Sequence, residues 1–158
     1  MVTRAERNAT NPDLGVLSAR LLFAAQRELF LKLAEQGFDD LHPRHGVVLA
    51  YLDPGGLRAT EIARLSGQAK QAIGVLVDEL EALGYVERQP DPGDRRAKLV
   101  CPTERGLAQM RTADRIMAGM QDRHARRVGR EAYAEFKRIF MDVTEHQRRS
   151  VSGARASG

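Results

Sequence analysis

Apolar residues recur every three or four positions along most of this chain, which is the spacing of one buried face of an α-helix. The first series runs from Leu14 to Leu33. Asn11 has a side chain that can cap the start of this helix, and Pro12 suits its first position. Gly37 suits its end, so we predict one long first helix.

Three shorter helices are predicted in the middle of the chain. The sequence RHGVVLAYL follows Pro43, which opens helices well, and DPGG ends it. RATEIARLSG ends near Gly67, and AKQAIGVLVDELEALG ends at Gly84. The last of these helices has an apolar face and an opposite face of mostly polar or small residues. The apolar face comprises Ile73, Leu76, Val77, Leu80 and Leu83, and the opposite face comprises Lys70, Gln71, Gly74, Val75 and Asp78.

Two short segments, YVERQ and AKLVC, have the composition of β-strands and flank the turn sequence PDPGDRR. The prolines and the glycine favour a tight turn between them. We therefore predict a β-hairpin that carries Asp94, Arg95 and Arg96 at its tip.

Two further helices are predicted after the hairpin. Thr103 can cap the first of them, and Gly129 separates it from the last, on which Tyr133 and Phe140 keep helical spacing. Residues 1–10 are predicted to be flexible, and residues 148–158 are predicted to be a disordered tail. The expected fold class is mainly α with a small β-wing, in a single domain over residues 11–147.

Composition narrows the classes of function. The chain of 158 residues has a net charge of +4 and a pI near 9.6, which suits an anionic partner. Cys101 is the only cysteine, so no intrachain disulfide can form. The apolar runs are too short to span a bilayer and no signal peptide is evident, so we expect a cytoplasmic protein without a membrane partner. No common enzyme motif occurs, so we expect a protein that is not an enzyme and has no cofactor or metal site.

Two short helices joined by the sequence SGQ and followed by a hairpin have the order of a helix-turn-helix with a β-wing. The second helix of such a pair lies in the DNA major groove, with its N-terminal residues near base edges. Here Lys70 can bind a phosphate or a guanine, and Gln71 can pair with adenine. Gly74 leaves room for a close approach of the backbone.

The hairpin tip supplies a second candidate contact. Arg95 and Arg96 can enter the neighbouring minor groove, where narrow A·T tracts attract arginine. Phosphate would repel Asp94, so we interpret it as a brace that pairs with a nearby arginine and fixes the shape of the tip. A charged turn taken alone is more often only a solvated turn, but its place after a helix-turn-helix favours a wing.

Overall charge does not explain DNA binding by this region. Residues 57–105 carry eight Lys and Arg and also eight Asp and Glu. Binding must therefore depend on where the charges lie. We expect Lys70 and the wing arginines to face DNA, and the acidic residues to lie towards the far end of the helix: Asp78, Glu79 and Glu81.

The segment LRATEIARLSGQAKQAIGVLVDELEALGYVERQPDPGDRRAKLVCPTERG resembles the core of the MarR family of transcriptional regulators. Its most specific part, LVDELEALGYVERQPDPGDRRAKLVCPTERG, matches the wing signature of that family. With the flanking helices, the resemblance covers roughly residues 12–147 on this assignment of elements. It implies a homodimeric winged helix-turn-helix protein with its core at residues 44–101 and dimerisation helices at 11–37 and 103–147.

The resemblance also implies a mechanism. Each subunit would place a recognition helix in one half of a near-palindromic promoter site, and the dimer would repress by occluding the promoter. Small aromatic or phenolic effectors are expected between the dimerisation helices and the DNA-binding core. Lys70 and Gln71 fall at the start of the recognition helix, and Asp94 and Arg96 fall on the Asp-x-Arg pair of the wing.

One position departs from the family pattern. Ala69 stands where the family often has Ser or Thr, which caps the recognition helix and touches a phosphate. The alanine loses a cap worth about 1 kcal/mol. Gln68 or Ser66 could take over that contact.

Three other features have plain interpretations. Cys101, at the end of an apolar strand, is expected to be a buried small residue rather than a redox sensor. The sequence DDLHPRH lacks the spacing of a metal site, so we expect a helix cap and surface histidines. Five residues could line an effector pocket, although such a series is more often core or dimer interface: Phe23, Phe30, Met110, Met117 and Met120.

The main alternative function is that of a basic structural or RNA-associated protein with a winged-helix fold. Exposed aromatic platforms would support it, but most of the three Tyr and five Phe occupy helical core spacings. The wing sequence favours duplex DNA, so a DNA-binding regulator is the preferred function.

Overall fold

The computed structural model describes residues 3–156, with side chains described through residue 151. In chain order the elements are α1 (Arg4–Thr10), α2 (Leu14–Glu35), a 3₁₀ turn (Pro43–His45), α3 (Gly46–Leu49), β1 (Leu57–Arg58), α4 (Ala59–Ser66), α5 (Lys70–Ala82), β2 (Val86–Asp91), β3 (Asp94–Pro102), α6 (Glu104–Val128) and α7 (Arg130–Ala156). This mainly helical chain with one small sheet confirms the predicted fold class. It forms two compact units that divide within α6, after Asp114. Within residues 3–156, none of the helices combines the length and the apolar character that crossing a membrane requires.

Residues Arg4–Thr10 form a helix, which corrects the prediction of a flexible segment for that part of residues 1–10. The Thr3 hydroxyl accepts the Glu6 N–H at 3.2 Å, and the Glu6 carboxylate accepts the Thr3 N–H at 2.7 Å. This reciprocal cap satisfies two backbone amides and explains why a polar segment forms α1. Residues 1 and 2 lie outside the described residues.

Helix α2 begins later than predicted. Asp13 caps it, because its Oδ1 accepts the Val16 N–H at 2.9 Å, whereas Asn11 ends α1. Gly37 follows the helix with a φ of +91°, as expected of a glycine at a helix end.

The three strands form one antiparallel sheet in the order β1-β3-β2. Leu57 of β1 pairs with Val100 of β3, and Val86 of β2 pairs with Pro102 of β3. Strand β1 was not predicted, because a strand of two residues is too short to show alternation. Since β1 runs directly into α4, the sheet joins the hairpin to the helices that precede it.

The hairpin is longer than predicted, and its tip consists of residues 92–93. Asp91 ends β2 and pairs with Asp94, the first residue of β3. Arg95 and Arg96 therefore lie on the strand next to the tip, which corrects their predicted place in the turn. Both arginine side chains are exposed.

The core of the first unit forms around α5. Its predicted apolar face is confirmed, because three of the five residues are fully buried and the other two pack against them: Ile73, Val77, Leu80, Leu76 and Leu83. Tyr85, directly before β2, is also fully buried. Because one face of α5 is anchored in this core, its opposite face is held towards solvent.

Helix α6 starts as predicted, with Thr103 as its cap. The Thr103 Oγ1 accepts the Gly106 N–H at 3.1 Å and donates to the Gly84 carbonyl at 2.6 Å. A Cβ at Gly106 would lie 2.1 Å from the carbonyl oxygen of Tyr85. This close approach of two backbone segments therefore requires glycine.

Gly129 separates α6 from α7 with a φ of +96°, as predicted. Helix α7 continues to Ala156, so the prediction of a disordered tail is wrong for residues 148–156. Arg149 pairs with Glu145 at 3.1 Å across one turn, which favours the helix there. Residues 157 and 158 lie outside the described residues.

Candidate nucleic-acid interface

Helices α4 and α5 form a helix-turn-helix. Helix α4 ends at Gly67, whose φ of +70° lies in the left-handed region that favours glycine. The Ala63 carbonyl accepts the N–H groups of Gly67 and Gln68, the latter at 3.2 Å. Gln68 and Ala69 then lead into α5, and both are exposed. The turn predicted from the sequence SGQ is therefore present.

The first turn and the outer face of α5 are open to solvent. Lys70, Gln71 and Asp78 are exposed, and Val75 is 57% exposed. Gly74 is half-buried, yet no atom lies within 4 Å of the Cβ that a larger residue would place there. This face offers a cation, an amide and an apolar side chain, which are the groups that read base edges in the major groove.

The start of α5 has no side-chain cap from residue 69, as its alanine predicted. Ser66, one of the two residues expected to replace this cap, forms its hydrogen bonds within the turn between α4 and α5. Its Oγ donates to the Ala63 carbonyl at 3.3 Å and accepts the Gln68 N–H at 3.4 Å. Because amides in the first turn of a helix lack partners within that helix, an anion can bind where the cap is missing.

Arg58 of β1 braces the wing. Its Nε donates to Asp91 Oδ2 at 2.6 Å, and its terminal nitrogen Nη2 lies 2.5 Å from the same oxygen and 3.8 Å from Asp94 Oδ2. Asp94 also accepts the N–H of Arg96 at 3.1 Å. Asp94 thus lies beside an arginine, as the brace hypothesis expected, although Asp91 makes the shorter contact.

The Asp91 carboxylate is stabilised in its charged form. The Gly93 N–H donates to its Oδ1 at 2.8 Å. This N–H and then the Arg58 guanidinium hold the pKa of Asp91 below its ordinary value. The ion pair between Arg58 and Asp91 is therefore fully formed at neutral pH.

Arg88 of β2 pairs with two acidic residues of α5. Its Nη2 lies 2.5 Å from Asp78 Oδ1, and its Nη1 donates to Glu81 Oε2. The Arg88 backbone N–H donates to Glu81 Oε1 at 3.1 Å. Arg88 thus neutralises part of the negative charge that Asp78 and Glu81 give to α5.

His45 is buried, which corrects the expectation of a surface histidine. Its Nδ1 accepts the His42 N–H at 3.1 Å, so Nε2 carries the ring proton and donates to Glu79 Oε2 at 2.9 Å. Arg44 Nε donates to the same oxygen at 2.9 Å. His45 first and Arg44 second hold the pKa of Glu79 below its ordinary value. His42 is exposed and is the N-cap residue of the 3₁₀ turn, as expected.

Tyr85 links the segments at the C-terminal end of α5. Its hydroxyl donates to Asp40 Oδ1 at 2.5 Å, and Arg105 donates to Asp40 Oδ2 at 2.9 Å. The guanidinium lies 4.3 Å from the centre of the Tyr85 ring and donates to the Leu83 carbonyl at 2.7 Å. Burial and the Asp40 carboxylate raise the pKa of Tyr85 above its ordinary value. The cluster fixes the end of α5 to the first turn of α6.

An open groove with a volume of about 520 Å³ lies beside α2 and is lined by Phe23, Gln26, Arg27, Phe30, Leu31 and Pro43. It brings together Phe23 and Phe30, two of the five candidate effector-pocket residues. The three methionines of that set do not line this groove. The cationic Arg27 does, and sequence reasoning did not select it.

Cys101 is buried, as expected. Burial first and Glu87 on the paired strand second raise the pKa of its thiol. A raised pKa disfavours the thiolate that redox sensing requires. Among the described residues, no group of three His, Cys, Asp or Glu side chains could hold a metal ion.

Large apolar side chains are exposed on helices of both units. On α2 they are Leu14, Leu17, Leu21, Leu22, Phe23 and Leu31, and on α7 they include Phe136, Ile139, Met141 and Val143. Clustered exposed apolar residues mark interaction surfaces. Both helices overlap the segments for which the family resemblance implies dimerisation, residues 11–37 and 103–147.

Residues 39–97 match the sequence model of the MarR family. A curated relative, the uncharacterized HTH-type transcriptional regulator YcgE of Bacillus subtilis, is 38% identical over 50 residues, which are 32% of this chain and 32% of that protein. The match thus spans about a third of the length of the curated relative.

Several solved structures share the fold over most of the chain. The transcriptional repressor CouR bound to a 23-mer DNA duplex has a TM-score of 0.70 at 23% identity, with 90% of this chain and 99% of that chain covered. CouR from Rhodococcus jostii bound to p-coumaroyl-CoA has a TM-score of 0.67 at 26% identity, with 83% and 91% covered. A MarR family protein of Mycobacterium tuberculosis in complex with salicylic acid has a TM-score of 0.60 at 27% identity, with 85% and 98% covered. The sequence model and the Mycobacterium tuberculosis structure thus represent the same family, MarR.

Sequence reasoning selected the exposed residues and expected an arginine beside Asp94, but it did not identify Arg58, His45 or Arg88 as the residues that make the supporting contacts. Arg58 and His45 bind partners that are 33 and 34 residues away in the sequence, and Arg88 binds one that is 10 residues away. No local pattern indicates contacts between such distant positions. The exposure of Val75 was visible in the helical periodicity, but no role was assigned to it.

Proposed function

We propose that this chain, which belongs to the MarR family, binds double-stranded DNA as a homodimer and represses transcription. One observation carries the proposal: α5 is anchored by one face and exposes its first turn, and a basic wing is braced beside the same helix-turn-helix. A helix and a hairpin arranged in this order can enter two adjacent grooves of a duplex.

The N-terminal part of α5 is the proposed reader of the major groove. Lys70 binds a phosphate or a guanine, and Gln71 pairs with adenine. The exposed Val75 contacts a thymine methyl group, and the absence of a side chain at Gly74 lets the backbone approach the bases. The uncapped amides at the start of the helix bind a backbone phosphate.

The wing is the proposed reader of the minor groove. Arg95 and Arg96 are exposed on β3 next to the tip and can insert where the groove is narrow and strongly negative. Arg58 holds the two strands through Asp91 and Asp94. The brace reduces the freedom that the hairpin would lose on binding, which favours affinity.

A second copy of the chain is the proposed partner for the exposed apolar side chains of α2 and α7. A symmetric dimer presents two α5 helices, so its DNA site should be a near-palindrome. The two half-sites are expected roughly 34 Å apart, which is one turn of the duplex. Occlusion of a promoter by this dimer would repress transcription.

A small aromatic acid is the proposed effector. The groove beside α2 has aromatic side chains, Phe23 and Phe30, and one cation, Arg27, which can pair with a carboxylate. Two of the similar solved proteins bind p-coumaroyl-CoA and salicylic acid, which are both aromatic. A ligand that prefers a different spacing of the two α5 helices weakens DNA binding through linkage.

Selection of binding sites from a random DNA pool tests the proposal. Purified protein should enrich a near-palindromic duplex, and light scattering should give a mass about twice the chain mass of 17.6 kDa. Salicylate, used as a probe, should lower the affinity for the enriched duplex. Enrichment of no duplex, or tighter binding to RNA of equal length, would favour the structural or RNA-associated alternative.

A further inference from the structure

We infer that Arg88 is a positioning residue for DNA binding, which pairs with Asp78 and Glu81 and lowers their negative charge so that phosphates can approach the recognition helix. The inference rests on the proposed DNA-binding function. It gives Arg88 a role that is exerted through two carboxylates of α5 and not through contact with DNA.

The geometry places one guanidinium between two carboxylates. Arg88 lies on β2, where it pairs with Val100, and its side chain reaches α5. Its Nη2 lies 2.5 Å from Asp78 Oδ1, and its Nη1 donates to Glu81 Oε2. Residues three apart on a helix lie on neighbouring turns, and the planar guanidinium presents its donors in a fork, so one arginine serves both acids.

Asp78 is the acid whose charge matters for DNA. It follows Gln71 and Val75 at helical spacing on the outer face of α5, and its side chain is 69% exposed. An unpaired carboxylate there would face the phosphates of a bound duplex, and like charges on facing surfaces oppose association. Arg88 reduces that repulsion within the protein before DNA binds.

The burial of Arg88 distinguishes it from the residues proposed to touch DNA. Its side chain is 28% exposed, and both ends of its guanidinium are already bonded to carboxylates. Lys70 and Arg96 are exposed on the outer face of α5 and on the wing. With N–H donors of Nη1 and Nη2 already bonded to carboxylates, the Arg88 guanidinium has fewer left for a phosphate than the exposed Arg96 guanidinium has.

Four variants test the inference by fluorescence anisotropy on the duplex that the wild-type protein prefers. Arg88→Gln should weaken binding about tenfold at low salt, and the loss should shrink as salt screens the exposed Asp78 charge. The double change Arg88→Gln with Asp78→Asn should restore most of the affinity. The double change Arg88→Gln with Asp142→Asn restores the net charge of the protein equally, but it does so at an exposed residue of α7. This variant should not regain the affinity. Asp78→Asn alone should bind at least as tightly as wild type.

Three results would overturn the inference: unchanged affinity of Arg88→Gln, no rescue by Asp78→Asn, or equal rescue by Asp142→Asn. Thermal unfolding of each variant shows whether the fold is intact. If Arg88→Gln does not fold, the affinity of the Asp78→Asn variant decides the question by itself. Weaker binding by Asp78→Asn would then overturn the inference, because it would mean that the Asp78 carboxylate contacts DNA favourably. A wild-type protein that prefers no duplex refutes the proposed function itself and is recognised before any variant is measured.

Discussion

Arg58 Nε donates to Asp91 Oδ2 at 2.6 Å and so joins the residue that precedes α4 to the end of strand β2. Asp91 pairs with Asp94 in the sheet, and Arg58 lies beside both carboxylates. The contact therefore holds the two strands of the wing at the base of its tip. A single arginine couples the geometry of the helix-turn-helix to that of the hairpin.

Arg58→Gln should loosen the wing without unfolding the core. Glutamine carries no charge, so Asp91 and Asp94 would face each other unpaired and repel. We expect faster hydrogen exchange of the Gly93 amide and weaker binding to the preferred duplex, with little change in unfolding temperature. Arg64→Gln is the matched control, because Arg64 pairs with Glu61 on α4 at 2.5 Å and does not brace the wing. Unchanged exchange at Gly93 in Arg58→Gln would contradict the brace.

Tyr85 should make stability fall at alkaline pH. Burial and the Asp40 carboxylate raise the pKa of Tyr85 in the folded state. The stability that the protonated Tyr85 hydroxyl contributes is therefore fully present below the pKa of the unfolded state, about 10, and is lost as pH rises towards the higher pKa of the folded state. Tyr85→Phe should cost about 1–2 kcal/mol at neutral pH, because the hydrogen bond to Asp40 is lost. Urea unfolding at pH 7 and pH 11 measures both effects. An alkaline loss of stability that is equally steep in Tyr85→Phe would show that another group titrates.

His45→Ala should destabilise the first unit by about 2–4 kcal/mol, through a cavity and the loss of two hydrogen bonds. His42→Ala is the control on the same turn, because its side chain is exposed, and it should change stability by about 0.5 kcal/mol or less. Chemical unfolding followed by circular dichroism gives both values. Equal effects of the two substitutions would be inconsistent with the buried contact between His45 and Glu79.

Gly106→Ala should disrupt the junction between β2 and α6. The new Cβ would lie 2.1 Å from the Tyr85 carbonyl oxygen, so the two backbone segments must separate. Overpacking of this kind costs about 1–3 kcal/mol. Gly119→Ala is the control within α6, since nothing lies within 4 Å of its Cβ position and alanine favours helix. A Gly106→Ala protein as stable as wild type would mean that the junction adapts easily.

Local patterns were sufficient to predict which residues of the proposed interface are exposed. The 3.6-residue period of Ile73, Val77 and Leu80 defines which face of α5 is buried and hence which face is open. The glycines at positions 67 and 129 predicted two helix breaks. In the structure both glycines adopt a positive φ at the ends of helices. These features depend on neighbours along the chain, which a single sequence displays.

Contacts between distant segments could not be predicted in this way. Strand β1 consists of two residues and exists because β3 pairs with it. The hairpin continues to Asp91 and Asp94 because Arg58 and the Gly93 amide satisfy Asp91 there. His45 is buried because Glu79, 34 residues later, accepts its ring proton. Each of these features depends on the tertiary fold.

The most direct test of the central claim is a titration of wild type, Lys70→Ala and Arg96→Ala on the preferred duplex over a series of salt concentrations. The account predicts weaker binding by both variants with the dimer intact, and a salt slope lower by about one for Lys70→Ala. Lys137→Ala removes the same charge from α7, where Lys137 donates to Gln121 of α6. Because Lys137 lies outside α5 and the wing, this variant should bind as the wild-type protein does. Wild-type affinity and an unchanged salt slope in both Lys70→Ala and Arg96→Ala would contradict the assignment of α5 and the wing as the DNA-binding surface.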